Sequence, residues 1–227
     1  MTKTPDFMLP RPPMPNDPAV LGAFDRLFDA AVAQGPARPI GYDLPYPRWQ
    51  FICHLADTRD VVLHGSGNAG IDEFEPRQPN DTTVFGNQKA VYAASDGLWP
   101  MYFAILDRDT YPMLLINSSV RVAEPGGDVS EPRYFFSITR AALDQRPYRQ
   151  GTIYFLPRHT FRVQPPETHG GQTIHIPQWA SSEPVVPLCK IEVGPEDFPL
   201  LDRMRGHDDD VAFARIRANP DGFPWLD

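Results

Sequence analysis

The chain has 227 residues, a mass of 25.6 kDa and a formal net charge of -8, from 21 basic and 29 acidic side chains. That length is enough for one domain with a sizeable core. The acidic balance argues against the phosphate-tracking surface that nucleic acid or an anionic membrane would select, and no apolar run approaches the roughly 20 residues that span a bilayer. Cys53 and Cys189 both lie in apolar stretches and read as buried thiols of a reducing compartment, and the N-terminal residues contain no apolar core of signal-peptide length, so a cytoplasmic protein is expected. The 27 prolines are spread between apolar segments, which predicts many short elements with sharp turns and excludes a long-helix bundle.

Residues 1–15 are proline-rich with little apolar periodicity and read as a flexible, extended arm, the fold occupying 16–227 as a single domain. Asn16-Asp17-Pro18 is a helix start signal. Val20, Leu21, Phe24, Leu27, Phe28, Ala31 and Val32 follow at helical spacing up to the stop at Gly35-Pro36. A second short helix is expected from Pro47 to about Asp57.

Beyond Asp60 the segments become short, β-branched or aromatic, and are bounded by Gly, Pro, Asn and Asp, which predicts strands. Their expected positions are Val61–Ser66, Ala90–Ala94, Met113–Ile116, Tyr134–Ile138, Thr152–Leu156, Ile174–Ser181 and Val185–Val193. One further helix is capped by Ser95-Asp96 and carries Leu98, Trp99, Tyr102, Phe103 and Leu106, shortened or bent by Pro100. Gly126-Gly127-Asp128 and Pro165-Pro166-Glu167 mark long loops, and the tail after Asp197 reads as acidic and irregular with a short helix at Asp210–Ala218. Helices first and strands afterwards imply an α+β fold.

Val61-Val62-Leu63-His64-Gly65-Ser66-Gly67 is an apolar strand ending in a histidine, a glycine and a hydroxyl. Phe74-Glu75-Pro76-Arg77, Phe85-Gly86 and Val91-Tyr92-Ala93-Ala94-Ser95 follow in order, and then the aromatic helix. The series resembles the NAD-binding core of ADP-ribosyltransferases of the diphtheria-toxin and poly(ADP-ribose) polymerase type, the His-Tyr-Glu group, over roughly 61–193. The resemblance implies a split, mainly antiparallel β core with an NAD cleft between two sheets and helices on the N-terminal side. It implies that His64 hydrogen-bonds the adenosine ribose with help from Ser66, and that the Gly65 backbone meets the nicotinamide amide. Tyr92 and Phe103, or the adjacent Tyr102, would wall the nicotinamide, and Arg77 would stand near the diphosphate.

At the third position of the group this chain departs from the pattern. The equivalent stretch, Ile176-Pro177-Gln178-Trp179-Ala180-Ser181, offers Gln178 where the group has a glutamate, with Glu183 as the alternative if the register shifts. A glutamine hydrogen-bonds a ribose hydroxyl but has no charge for a developing cation and cannot act as a general base. The resemblance therefore implies an enzyme that transfers single ADP-ribosyl units from NAD and releases nicotinamide. Its acceptor would be intrinsically nucleophilic, whether on a protein, a nucleic-acid end or a small molecule. A binding module for NAD or ADP-ribosylated ligands and an NAD glycohydrolase are the alternatives. No metal is expected. His159, His169 and His175 lack ligand spacing, and His207-Asp208-Asp209-Asp210 reads as a solvated acidic loop.

Overall fold

Helix placement follows the capping signals. Asp17 precedes Pro18 and its carboxylate accepts a hydrogen bond from the Ala19 amide, which opens α1 (Pro18–Gln34); Gly35, at φ 78°, closes it. The second helix, α2 (Arg48–Thr58), starts directly after Pro47 and is buried at Trp49 and from Phe51 to Ala56. The computed structural model describes residues 5–79, 83–124 and 126–226.

The strands form two largely antiparallel sheets, giving a mixed fold of the α+β type. One sheet has the order β11 (Cys189–Val193), β6 (Gly151–Pro157), β2 (Val61–Ser66), β3 (Val91–Ala94), β10 (Gln178–Ser181) and β7 (Arg162–Val163). The other runs β1 (Leu9–Pro10), β5 (Arg133–Thr139), β4 (Leu115–Val122), β9 (Gln172–His175) and β8 (Glu167–His169), with β12 (Arg205–His207) parallel to β5. The main core lies between the sheets and the helices and joins Phe24, Phe51 and Leu55 to Leu63 and Phe155 of one sheet and Tyr134 and Phe136 of the other.

A short helix, α3 (Leu98–Ile105), sits against both sheets. It packs on β2 and β6, and its Tyr102 hydroxyl donates to the Ser137 carbonyl of β5 at 3.0 Å while Trp99 donates to Asn117 of β4 at 2.6 Å. Its first turn is capped by buried Asp96, which accepts from the Leu98 and Trp99 amides at 2.9 and 2.8 Å and from the Tyr134 hydroxyl at 2.6 Å. Burial pushes the Asp96 carboxyl up from its ordinary value, and the Tyr134 bond opposes that shift.

Several expectations are corrected. The proline-rich arm is not free. Leu9 and Pro10 pair with Tyr134 and Arg133, Met8 and Leu9 are buried, and Arg11 reaches Asp57 at 2.6 Å and Glu131 at 3.3 Å; residues 1–4 lie outside the described residues. Local periodicity did not show this because a two-residue strand has none, and its burial is supplied by β5. The expected strand at 174–181 is two strands, because Pro177 has no amide hydrogen for a ladder and the chain crosses from one sheet to the other there. Glu167, read as loop, begins β8, whose hairpin turns at Gly170-Gly171, both at positive φ.

The tail is also more ordered than its composition suggests. α5 (Asp209–Ala218) and the residues after it cover the outer face of the second sheet, with Phe223 against Phe7 and Phe135. His207 belongs to β12, is 5% exposed and shares a hydrogen bond with Ser137 Oγ at 2.7 Å, and Asp208 caps α5 by accepting from Val211; this stretch is no solvated loop.

Two consequences can be measured. Leu9→Ala should lower the unfolding free energy by about 2 kcal/mol in a denaturant titration, as for other buried leucines, whereas a flexible arm would give no change. Tyr134→Phe leaves one oxygen of a buried carboxylate unpaired and should cost about 1–3 kcal/mol in the same assay.

Candidate functional site

The site is built where β2 and β3 part. Leu63 pairs with Ala94, and no further β2–β3 pair follows, although β2 stays paired with β6 as far as Ser66. The β3-facing edge of Gly65 and Ser66 thus has no strand partner in the described pairing. His64 stands at the start of this gap. Its Nδ1 lies 2.7 Å from the Tyr92 carbonyl, which can only accept, so Nδ1 carries the hydrogen and Nε2 of the neutral ring is the acceptor. The ring is half-buried, 4.7 Å from the Phe74 ring between centroids. Burial lowers its pKa, the Tyr92 carbonyl opposes that, and the positive charges of Arg108 and Arg77 lower it further.

Tyr92 is half-buried, and its one hydroxyl hydrogen is shared between the carbonyls of Phe85 at 2.9 Å and Gln88 at 3.0 Å, while the oxygen accepts from the Gln88 amide. The ring therefore ties the Phe85-Gly86 loop to β3. Opposed residues of an antiparallel pair share a face, so Leu63, Ala94 and Gln178 form one row on the α3 side, and Tyr92 projects from that face two residues away. His64 lies on the opposite face, with Phe74. The structure thus brings His64 to the Tyr92 backbone and leaves the two rings on either side of the gap.

Gly65 has a packing role. A Cβ there would lie 1.8 Å from the Pro100 carbonyl oxygen, so α3 requires glycine at this position. Ser66 holds the following turn by accepting from the Asn68 amide at 3.1 Å. Lys190 and Tyr154 pin the same turn: Lys190 donates to the Ala69 carbonyl at 2.8 Å, and Tyr154 donates to the Asn68 carbonyl at 2.7 Å.

Between the two aromatic candidates on α3 the geometry is plain. Tyr102 is fully buried and bonded to Ser137, whereas Phe103 is partly exposed and 6.4 Å from the Trp99 ring. Gln178, half-buried, opens β10, where Ser95 donates to the Pro177 carbonyl and Trp179 donates to Ser95 Oγ, both at 2.9 Å. Glu183 lies past the other end of β10, exposed, with its amide on Ser181 Oγ.

Arg77 is exposed beside the site, bridged through its backbone to Ala90. Sequence reading missed two more arginines. Arg108, just past α3, acts on His64 as Arg77 does; Arg149 lies across Gly67, where a Cβ would come 2.0 Å from the guanidinium, and is held by Asp109 at 2.6 Å. Neither carries a local motif, since only the tertiary fold brings 108 and 149 to the end of β2.

Surface depressions of about 440 and 380 Å³ flank α4 (Arg140–Leu143), and neither is lined by His64, Tyr92, Phe103 or Gln178. Ser137, His207 and Asp209 stand in sequence, but Ser137 is fully buried and donates to the Arg205 carbonyl, so it is not available as a nucleophile. Among the described residues no group of three or more His, Cys, Asp or Glu side chains is placed to hold a metal ion, and no helix is long and apolar enough to cross a membrane.

The His64 ring should titrate below its ordinary value of about 6.5, seen as a late imidazole shift in an NMR pH series. A folded-state value below the unfolded one means that its contribution to stability is full above the unfolded value of about 6.5 and is lost as pH falls from there through the folded value. A midpoint above 6.5 would place His64 beside an anion rather than in the buried gap. No protein-family model matches this sequence, and neither a curated protein nor a solved structure matches it.

Proposed function

We propose that the chain is an ADP-ribosyltransferase-like fold whose β2–β3 gap takes NAD, and that it transfers a single ADP-ribosyl unit to a nucleophilic acceptor with release of nicotinamide. The observation that carries this reading is the parting of β2 and β3 at Leu63–Ala94, with His64 in the gap and Gln178 in the same row. The reading rests on these strand edges and not on either depression beside α4.

In this reading the unpaired edge of Gly65 offers backbone groups to the nicotinamide amide, and His64 Nε2 accepts from an adenosine ribose hydroxyl. Tyr92 and Phe103 flank the nicotinamide ring on the α3 side. Arg77 and Arg108 supply positive charge near the diphosphate in a protein of net charge -8. Gln178 holds a ribose hydroxyl. In the chemical step the bond from ribose C1′ to the nicotinamide nitrogen breaks, and its electron pair leaves with neutral nicotinamide. The acceptor's lone pair then bonds C1′, and its proton passes to water. Gln178 cannot deprotonate a ribose hydroxyl, so chain elongation is not expected. The uncharged Gln178 also favours a second reading, an NAD- or ADP-ribose-binding module without turnover.

Calorimetry and nicotinamide release test both readings. Tyr92→Ala should weaken NAD binding by about 1–3 kcal/mol through loss of a stacking face, while Tyr92→Phe, which keeps the ring, should stay near the parent. Gln178→Glu should raise nicotinamide release on the order of tenfold, a fraction of the 10²–10³ that one well-placed electrostatic stabiliser contributes. Binding that is unaffected by Tyr92→Ala removes Tyr92 from the pocket. Tight binding without release in parent and Gln178→Glu alike selects the binding module.

A further inference from the structure

The row that holds Gln178 continues one strand further. Trp179 pairs with Val163 and Ala180 with Arg162, so the same register sets Gln164 opposite Gln178, and the Gln164 amide donates to the Gln178 carbonyl at 2.9 Å. Gln164 is 4% exposed. Its side-chain Nε2 donates to Glu167 Oε1 at 2.7 Å, and its Oε1 is buried without a partner. The other oxygen of Glu167, Oε2, lies 3.0 Å from Nε2 of His169, which donates to it. A carboxylate is thus held at both oxygens, by groups from β8 and from the β7–β8 connection, and Gln164 links it to the residue that lacks a charge.

We infer that Glu167 supplies the negative field that Gln178 cannot, with Gln164 and His169 as its positioning residues. The inference rests on the NAD reading above, since it needs a cation developing at ribose C1′ next to Gln178. Gln164 and Gln178 face each other with Cβ atoms about 4.5–5.5 Å apart, and the Gln164 side chain spans from there to Glu167, which puts the Glu167 carboxylate on the order of 10 Å from the Gln178 position. At an effective dielectric of about 20, a unit charge at that separation changes the rate of a cationic step beside Gln178 by roughly fifteenfold. Screening at a half-exposed side chain brings this to on the order of tenfold. Glu167 acts through space, takes no proton and forms no bond. The bond that breaks is still C1′–N of nicotinamide, with the electron pair leaving on the ring.

The test uses the full chain, NAD as ligand, nicotinamide release for turnover and calorimetry for affinity. Glu167→Gln should lower kcat about tenfold while NAD affinity stays within twofold and the melting curve is retained, because the side chain is half exposed on an edge strand. Glu167→Asp, which keeps the charge, should retain most of the turnover. Adding Gln178→Glu to Glu167→Gln should restore it, because a charge returns to the row; a purely structural role for Glu167 would not be rescued in this way. A parent that turns NAD over with Glu167→Gln within twofold in kcat overturns the role of Glu167 and leaves the NAD reading intact. A parent that binds NAD without turnover also overturns it and selects the binding module. A parent that neither binds nor releases nicotinamide overturns the NAD reading and this inference with it.

Discussion

Helix α3 can lie where it does because two strand residues beneath it have no side chain. A Cβ on Gly65 would sit 1.8 Å from the Pro100 carbonyl oxygen, and one on Gly151 would sit 2.2 Å from that of Ala104. Backbone-to-backbone approach of this kind tolerates no substitution that leaves the helix in place. With α3 seated on β2 and β6, its other side reaches the second sheet through Tyr102 to Ser137 and Trp99 to Asn117. The two sheets are therefore spaced by one helix, and the edge of β2 beyond Leu63 lies beside it.

The charge arrangement follows from the same placement. Asp96 is buried because α3 must begin inside the molecule, and its oxygens are satisfied by the helix's own amides and by Tyr134. Tyr134 also pairs with Leu9, so the N-terminal strand is part of the wall behind the helix. A residue far from the gap in sequence thereby takes part in holding the element that carries Phe103. On the far side of β2, Lys190 and Tyr154 hold the turn after Ser66 through the Ala69 and Asn68 carbonyls, so the Gly65–Ser66 edge runs into a hydrogen-bonded turn.

Much of this was legible in the sequence, and the reasons are local. Asp17-Pro18 and Gly35 mark α1, Asp96 marks α3, and the apolar run of β2 ends at a histidine, as the alternation of short segments predicts. What was not legible depends on partners. Leu9–Pro10 is a strand only because β5 is there to pair with it, and Arg108 and Arg149 reach the end of β2 only through tertiary contact. The split at Pro177 was readable from the missing amide hydrogen, yet the apolar and polar pattern ran through it. A glycine at 65 suits close backbone approach to a ligand, and the packing of α3 requires glycine there as well. The resemblance to ADP-ribosyltransferases rests on residue order, and the contacts that bear on it are His64 with the Tyr92 carbonyl and Gln178 across from Ala94.

We propose that NAD is taken at the β2–β3 gap. Amide hydrogen exchange of the full chain with and without saturating NAD reads that place directly, because ligand contact and the ordering it brings slow exchange locally. The expected result is slowed exchange at 64–67, 85–95 and 99–104, with the segment around α4 and α5 unchanged. Slowed exchange confined to the depressions at 139–145 and 207–210, or no change anywhere at saturating NAD, would contradict it.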